Sequence, residues 1–236
     1  MPIRRIKQTI EELGTVNGLF YLVAQILSKV SRGRVRLVRY YLVAQPVPVA
    51  GNLVGKPNSQ SVIDFIAPCD PVVAAFPRPP EVITRRFEAG YQCLVAKYAE
   101  RFAGFIWFAR DRYEEDEVRC CYELLQPDQS AWDFDVYVEP SFRIGRTFGR
   151  LWDAANQHLA AEGVKWSFSR ISAFNPNSIK VHRRLGIQTI FTATFLCCGP
   201  FQLTIVGVRP FVHISFSKKS VPKLRLSSSP LNHRPA

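Results

Sequence analysis

The front of the chain alternates apolar and polar positions with a helical period. Its apolar residues recur at steps of three and four: Leu13, Val16, Phe20, Val23, Leu27 and Val30. This spacing aligns them along one side of a helix, so it predicts an amphipathic helix over residues 8–30. Residues 36–45 then favour a strand, which Pro46 and Pro48 end. The sequence therefore predicts a basic helix and strand extension over 1–45.

Proline and glycine divide the rest of the chain. Residues 46–90 contain eight prolines, so we expect an irregular segment with a short strand at 62–66 and a helix at its end. Residues 91–210 read as strands, a helix, a strand, a second helix and a closing strand pair, which predicts a mixed α/β sheet with helices on its faces. Serine, proline and basic residues dominate 211–236, which is predicted to be a mobile tail.

One stretch, from Val138 to Leu151, carries the strongest chemical signal. It joins an alternating strand at 132–138 to a helix that begins near residue 146 and ends before Gly163. The turn between them is rich in glycine and arginine. A strand, such a turn and a helix together direct backbone N–H groups and the positive end of the helix dipole at an anion. The pattern therefore indicates an anion-binding turn.

A second motif follows one strand later, where Asn175-Pro176-Asn177-Ser178 opens a helix that ends in Leu185-Gly186-Ile187. Together with the V-x-P-x-x-R strand end at Val138–Arg143, it resembles the GNAT superfamily of acyl-CoA N-acyltransferases. In that family the strand end enters a pyrophosphate-binding turn, and an N-x-x-[AS] helix ends in L-G-F. The resemblance covers residues 93–208. It implies an α/β (α+β) fold, a mixed and mostly antiparallel central sheet flanked by helices, with the first 45 residues as an extension.

The resemblance also implies acetyl-CoA, or another acyl-CoA, as co-substrate and no metal. Backbone N–H groups of the turn and the charges of Arg143 and Arg146 would bind the pyrophosphate. The strand backbone would hold the thioester carbonyl, and the second helix would contact the CoA arm, although Asn175 reads first as a helix cap. The implied cofactor contacts are Val136, Tyr137, Val138, Arg143, Ile144, Gly145, Arg146, Thr147, Phe148, Gly149, Asn175 and Ser178.

The turn departs from the family pattern R-x-x-G-x-[GA]. Arg146 and Phe148 stand at the two small positions, and Gly145 and Gly149 each fall one residue away. This leaves open a modified CoA site, a different acyl carrier or a lost site. We expect Phe148 to pack under the helix rather than to block the phosphate, because it shares a helix face with Leu151, Ala155 and Leu159.

Acidic residues on two predicted strands and one histidine are candidates for proton transfer. Asp133, Asp135 and Glu139 are predicted to share one strand face, and Asp135 is the first candidate base because it is nearest the expected divergence of the strands. Glu123, from a strand predicted beside it, is a second candidate. Family members often carry tyrosine seven residues after the helix-opening asparagine; His182 stands there, and histidine can protonate a leaving thiolate. The ordinary alternatives are solvated carboxylates and a histidine that caps local polar groups.

The net charge of +12 lies in the flanks. Residues 1–45 and 209–236 each carry +6, whereas residues 46–208 are neutral. This argues against a dedicated nucleic-acid fold and favours basic arms near an anionic surface, or simply solvated charge. The basic amphipathic front end suggests an acceptor on a membrane or on an anionic glycan or lipid precursor, with peripheral contact to an anionic membrane.

The six cysteines form no C-x-x-C pair, which argues against a disulfide framework or a zinc site and suits a reducing cytoplasm. The N-terminus lacks the layout of a signal peptide. We therefore predict a cytoplasmic N-acyltransferase that transfers an acetyl group from acetyl-CoA to an amine by direct attack. Acceptor contacts are expected from 46–90 and 111–130, and a homo-oligomer is left open. The alternative is a non-catalytic GNAT-shaped protein that binds a CoA-like or other anionic ligand.

Overall fold

The computed structural model describes residues 3–48, 60–217 and 219–231, with side chains from residue 7 onward. The helices are α1 (Ile3–Leu13), α2 (Thr15–Val30), α3 (Pro80–Glu88), α4 (Thr147–Ala161) and α5 (Pro176–Arg183). The strands are β1 (Val35–Pro46), β2 (Ser61–Phe65), β3 (Gln92–Tyr98), β4 (Arg101–Ala109), β5 (Arg112–Glu114), β6 (Cys121–Leu124), β7 (Ser130–Val138), β8 (Trp166–Ser172), β9 (Gln188–Cys198), β10 (Phe201–Val206), β11 (Val212–Ser215) and β12 (Lys223–Leu226). Short 3-10 helices lie at Pro71–Ala75 and Pro140–Phe142.

The chain forms two compact units, each assembled from separate segments. Unit 1 comprises Met1–Pro46, Arg112–Leu125 and Phe168–Leu226. Unit 2 comprises Val47–Asp111, Gln126–Ser167 and Ser227–Ala236. The mixed α/β composition and the mostly antiparallel pairing confirm the predicted fold class.

Unit 1 contains strands in the order β11-β10-β9-β1-β8, with α2 packed on β1. The single helix predicted over 8–30 is two helices, because Gly14 between them adopts a φ of 77°. Strands β9 and β10 form the predicted closing pair, an antiparallel hairpin that turns at Gly199. In α2, Gly18 lets α1 approach, since a Cβ there would lie 3.0 Å from Cα of Ile10.

Unit 2 contains the antiparallel order β7-β4-β3-β2 with the helices α3 and α4. Its core is aromatic: the fully buried side chains include Trp107, Trp132, Trp152, Phe105 and Phe108. Burial of such rings is the main source of stability in a domain of this size. This core fixes the strand and helix that carry the predicted turn.

A second, three-stranded sheet in unit 1 has the order β12-β6-β5. Its strand β12 lies in the segment predicted to be a mobile tail, as does β11. That prediction was wrong for both strands. In β12, Leu224 and Leu226 alternate with exposed basic residues and are fully buried, which is a strand signal that the surrounding serines and lysines obscure.

None of the helices in the part of the chain that the structure describes is long and apolar enough to cross a bilayer.

Candidate active site

Strand β7 contains a bulge at the position where the family resemblance places the divergence of two strands. Trp107 of β4 faces Phe134, but Phe105 faces Tyr137, so two residues of β7 occupy the space opposite one residue of β4. The extra residue is accommodated by Asp135, whose φ is 47°. A bulge bends its strand and re-aims the side chains that follow it.

The bulge corrects one prediction about the acidic residues of β7. Direct partners on neighbouring strands share a sheet face. Asp133 faces Phe108 of β4, whereas Tyr137 faces Phe105, which lies on the opposite face of β4 from Phe108. The hydroxyl of Tyr137 bonds to the carboxylate of Glu139, so Asp133 and Glu139 lie on opposite faces. The simple alternation assumed from the sequence fails because the bulge adds one residue.

Gly104 allows the backbones of β4 and β7 to approach beside the bulge. A Cβ at this position would lie 2.4 Å from the carbonyl oxygen of Tyr137 and 3.2 Å from Cα of Val138. No side chain fits at the first distance, so only glycine suits the position.

The carboxylate of Asp135 is held by two arginines that the sequence did not indicate. Arg78 donates to both of its oxygens, with Nε 2.9 Å from Oδ2. Arg86 of α3 donates from Nη1 to Oδ2 at 2.5 Å and also lies over the rings of Trp107 and Phe134. These contacts link α3 to the bulge. Both arginines come from the proline-rich segment and α3, about 50 positions before Asp135, so no local pattern could reveal the pairing.

Tyr137 and Glu139 form a second polar pair just after the bulge. The hydroxyl of Tyr137 donates to Oε2 of Glu139 at 2.8 Å. Partial desolvation, followed by the hydrogen bond to Glu139 and its negative charge, raises the pKa of Tyr137. The phenol is therefore a neutral hydrogen-bond donor near pH 7. Glu139 belongs to none of the ion pairs found among the described residues.

The predicted anion-binding turn runs from the 3-10 helix at Pro140–Phe142 to the start of α4. Arg146 is the N-cap of α4, and no side chain caps the first turn. Helices leave their first N–H groups without intrahelical partners, so these groups point out of the helix end. The guanidinium of Arg143 instead turns back and donates to the carbonyl of Val138 at 2.9 Å. The exposed side chains of the turn include Arg146 and Ile144.

Phe148 packs onto its own helix, as expected from the shared face. Its ring lies 6.3 Å from that of Trp152 in an edge-on arrangement. Leu151, Ala155 and Leu159 on the same side of α4 are fully buried. The larger residue at a small position of the family pattern is therefore half-buried against Trp152 of the same helix.

The predicted residues of α5 lie in unit 1. Asn175 caps the helix, accepting a hydrogen bond from the N–H of Ser178 at 3.0 Å, and Pro176 follows it. His182 is half-buried, and its Nδ1 lies 2.8 Å from the carbonyl oxygen of Ser178. A ring nitrogen bonded to a carbonyl carries a hydrogen, so Nδ1 is the donor in this contact. The capping roles foreseen for Asn175 and as the alternative for His182 are both present.

Glu123 does not lie beside β7 in the sheet. It belongs to β6, whose neighbours are β5 and β12. Its carboxylate pairs with Lys223 at 3.1 Å and Arg225 at 3.4 Å. The hydrogen bond from Lys223 is the main cause of a lowered pKa for Glu123. A carboxylate stabilised in its charged form is a weaker base, so this environment does not favour catalysis.

A largely apolar cavity of about 710 Å³ lies in unit 2, beside α3. Its wall includes Phe76, Arg78, Ile83, Phe87 and Glu88. Arg78 is the residue that binds Asp135 at the bulge. The cavity therefore extends from the segment in which acceptor contacts are expected to a side chain that touches strand β7.

Comparisons with known proteins concern the fold. No family model and no curated protein matches the chain. A functionally unknown conserved protein from Staphylococcus epidermidis has 11% identity and a TM-score of 0.51 over 73% of this chain and 66% of its own. At this identity the likeness extends to the mixed, mostly antiparallel α/β fold alone.

Two GNAT proteins are similar at lower scores. A tandem GNAT protein from the clavulanic acid biosynthesis pathway has 17% identity and a TM-score of 0.48, over 70% of this chain and 55% of its own. A GCN5-related N-acetyltransferase from Kribbella flavida has 14% identity and a TM-score of 0.41, over 72% of this chain and 62% of its own. The chain thus spans about two thirds or less of the length of these proteins.

Proposed function

We propose that the protein is an acyl-CoA-dependent N-acyltransferase that transfers an acetyl group from acetyl-CoA to an amine. The observation that carries the proposal is the bulge at Asp135 followed, within one short turn, by the uncapped start of α4. This chemistry needs two features. One is a strand bulge beside the reacting carbonyl, and the other is the N-terminus of a helix beside a phosphate.

The turn fits a pyrophosphate. The side chain of the N-cap residue Arg146 does not cap α4, so the N-terminus of the helix suits an anion, and the ring of Phe148 packs against Trp152. Arg146 is exposed at the N-cap and supplies the positive charge. Arg143 acts indirectly, since its hydrogen bond to Val138 holds the strand end against the turn.

Glu139 is the base that we propose for the acceptor amine. Asp135 is bound by two arginines, and Glu123 pairs with Lys223, whereas Glu139 has a hydrogen bond from Tyr137. In the reaction Glu139 takes a proton from the ammonium, and the amine nitrogen then forms a bond to the thioester carbon. The carbon–sulfur bond breaks, and the thiolate takes a proton. Asp135 becomes a positioning residue for Arg78.

His182 remains the proposed proton donor to the thiolate. A histidine can donate a proton to a leaving thiolate near neutral pH. The acceptor is proposed to place an apolar body in the cavity beside α3, where Phe76, Ile83 and Phe87 form the wall.

The second candidate is a GNAT-shaped protein that binds a CoA-like anion without catalysis. The pairing of Asp135 with two arginines favours it, because the carboxylate nearest the bulge is engaged in ion pairs. In this reading the turn and α4 keep their binding role and Glu139 has none in catalysis.

An acyl-transfer assay distinguishes the two functions. Purified protein is incubated with acetyl-CoA and a panel of apolar primary amines, and release of the free CoA thiol is recorded. We expect Glu139→Gln to lower kcat by about a hundredfold or more while acetyl-CoA binding is retained. Glu100→Gln, on an exposed turn, is the matched control. Binding without turnover on any amine would favour the second candidate, and full kcat in Glu139→Gln would exclude Glu139 as the base.

A further inference from the structure

Helix α2 has two apolar faces, and the residues that the structure describes cover only one of them. On the covered side, Asn17 bonds to Tyr41 of β1 and Phe20 lies under Arg39. The other side bears five exposed apolar residues: Val16, Leu19, Val23, Ile26 and Val30. At 100° per residue these five fall within an arc of about 80°, so they form one continuous stripe along the helix.

The hairpin of β10 and β11 also turns apolar side chains to solvent. Ile205, Val212, Ile214 and Phe216 are each more than half exposed. The opposite side carries Gln202, Thr204 and Ser215, which are each only 1% exposed. A sheet face normally has the reverse arrangement. The exposed apolar side of the hairpin is therefore a candidate contact surface for a partner.

Both apolar surfaces lie on the same face of the sheet in unit 1. Direct pairing connects Arg39 of β1 to Thr194, Thr194 to Ile205, and Ile205 to Val212. Direct partners share a face. Because Asn17 and Phe20 of α2 contact Arg39, the helix lies on the face that Ile205 and Val212 present.

The stripe on α2 is turned toward the hairpin. Tyr21, on the opposite side of α2 from the stripe, contacts the ring of Phe174 just after β8. Strand β8 adjoins β1 on one side, and β9, β10 and β11 follow on the other. The stripe and the exposed side of the hairpin consequently form one surface, here named the apolar face: Val16, Leu19, Val23, Ile26, Val30, Ile205, Val212, Ile214 and Phe216.

The charge of the protein is concentrated in the same unit. Unit 1 holds 19 of the 31 Lys and Arg residues and 7 of the 19 Asp and Glu residues, which accounts for the entire net charge of +12. Unit 2 is neutral. Exposed basic residues adjoin the elements of the apolar face in sequence: Lys29, Arg32 and Arg34 at the end of α2, and Arg209 and Lys219 around β11.

We propose that the apolar face docks onto the surface of an anionic lipid bilayer, with the basic residues contacting lipid headgroups. Apolar residues at the acyl boundary and lysines or arginines at the headgroups are the two components of such binding. A second copy of the chain is a poorer occupant, because two units of charge +12 would repel each other across the contact. The docking is independent of the acyltransferase proposal.

Sedimentation with vesicles tests the docking. The full chain is mixed with vesicles of phosphatidylcholine alone or of phosphatidylcholine with phosphatidylglycerol. We expect binding to the anionic vesicles only, with weakening as salt rises. Leu19→Gln combined with Ile26→Gln should weaken it about tenfold or more. Val62→Gln, an exposed apolar position of β2 in unit 2, is the matched control and should bind as the parent does.

Two results would overturn the proposal. One is failure of the full chain to sediment with anionic vesicles at low salt. The other is unchanged vesicle binding in the Leu19→Gln and Ile26→Gln variant, which would assign the binding to charge alone. Sedimentation velocity without lipid adds a further check: a dimer that the same variant dissociates, without vesicle binding, would assign the apolar face to a second copy.

Discussion

Asp135 combines an unusual backbone with an unusual set of partners. Its φ of 47° lies in the left-handed region, which aspartate tolerates better than most residues. Its carboxylate lies between the guanidinium groups of Arg78 and Arg86, and the side chains of Asp135 and Arg86 are nearly buried. The ion pairs thus hold the bulge and α3 together, which is a positioning role that a free catalytic base would lack.

Asp135→Asn should destabilise the protein by about 3 kcal/mol, because it removes the negative charge that faces two arginines in a largely buried site. Urea unfolding measures the change. A double-mutant cycle with Arg86→Met identifies its cause. The free energy of unfolding lost in the double variant should be smaller than the sum of the two single losses by about 1 kcal/mol or more. Additive losses would show that the two side chains do not interact in this way.

Glu115 illustrates a residue that local sequence could not place. It belongs to the acidic run Glu114–Glu117, which predicts a solvated loop, yet its side chain is fully buried. Both of its oxygens accept hydrogen bonds of 2.7 Å from Arg170, whose guanidinium also lies over the ring of Tyr40. Burial raises the pKa of Tyr40, so the phenol stays neutral. The arginine is 55 positions away, and a distant partner leaves no mark on a local pattern.

Among elements, periodicity predicted those whose apolar residues repeat over several turns or strands. The strands β3, β4 and β6 to β10 and the helices α3, α4 and α5 lie close to their expected positions. The fold and the strand, turn and helix of the candidate site could therefore be predicted. The bulge, the two arginines at Asp135 and the ion pairs of Glu123 could not, because each depends on contacts between segments that are distant in sequence.

Strand β12 shows how a short element can escape detection among polar residues. Leu224→Ala should lower the free energy of unfolding by about 2–5 kcal/mol, because Leu224 is fully buried. Arg225→Ala, at the exposed neighbouring position, should change it little. Urea unfolding of both variants measures the difference. Equal stability of Leu224→Ala and the parent would mean that this segment does behave as a tail.

At the scale of the molecule, the net positive charge and the candidate site around β7 and α4 belong to different units. The bulge, the turn and the apolar cavity belong to neutral unit 2, and the whole net charge of +12 belongs to unit 1. The basic character of the chain is thus separate from the proposed pyrophosphate site. Acetyl-CoA binding should therefore depend on a few groups at the start of α4 rather than on general positive charge.

Calorimetric titration with acetyl-CoA, free CoA and dephospho-CoA tests this central claim most directly. We expect micromolar binding that Arg146→Ala weakens about tenfold, the loss of one charge-assisted contact. Lys29→Ala, which removes an equal charge from α2, should leave the affinity unchanged. Absence of binding at millimolar ligand, or equal weakening by both variants, would contradict the assignment of the turn as a CoA site.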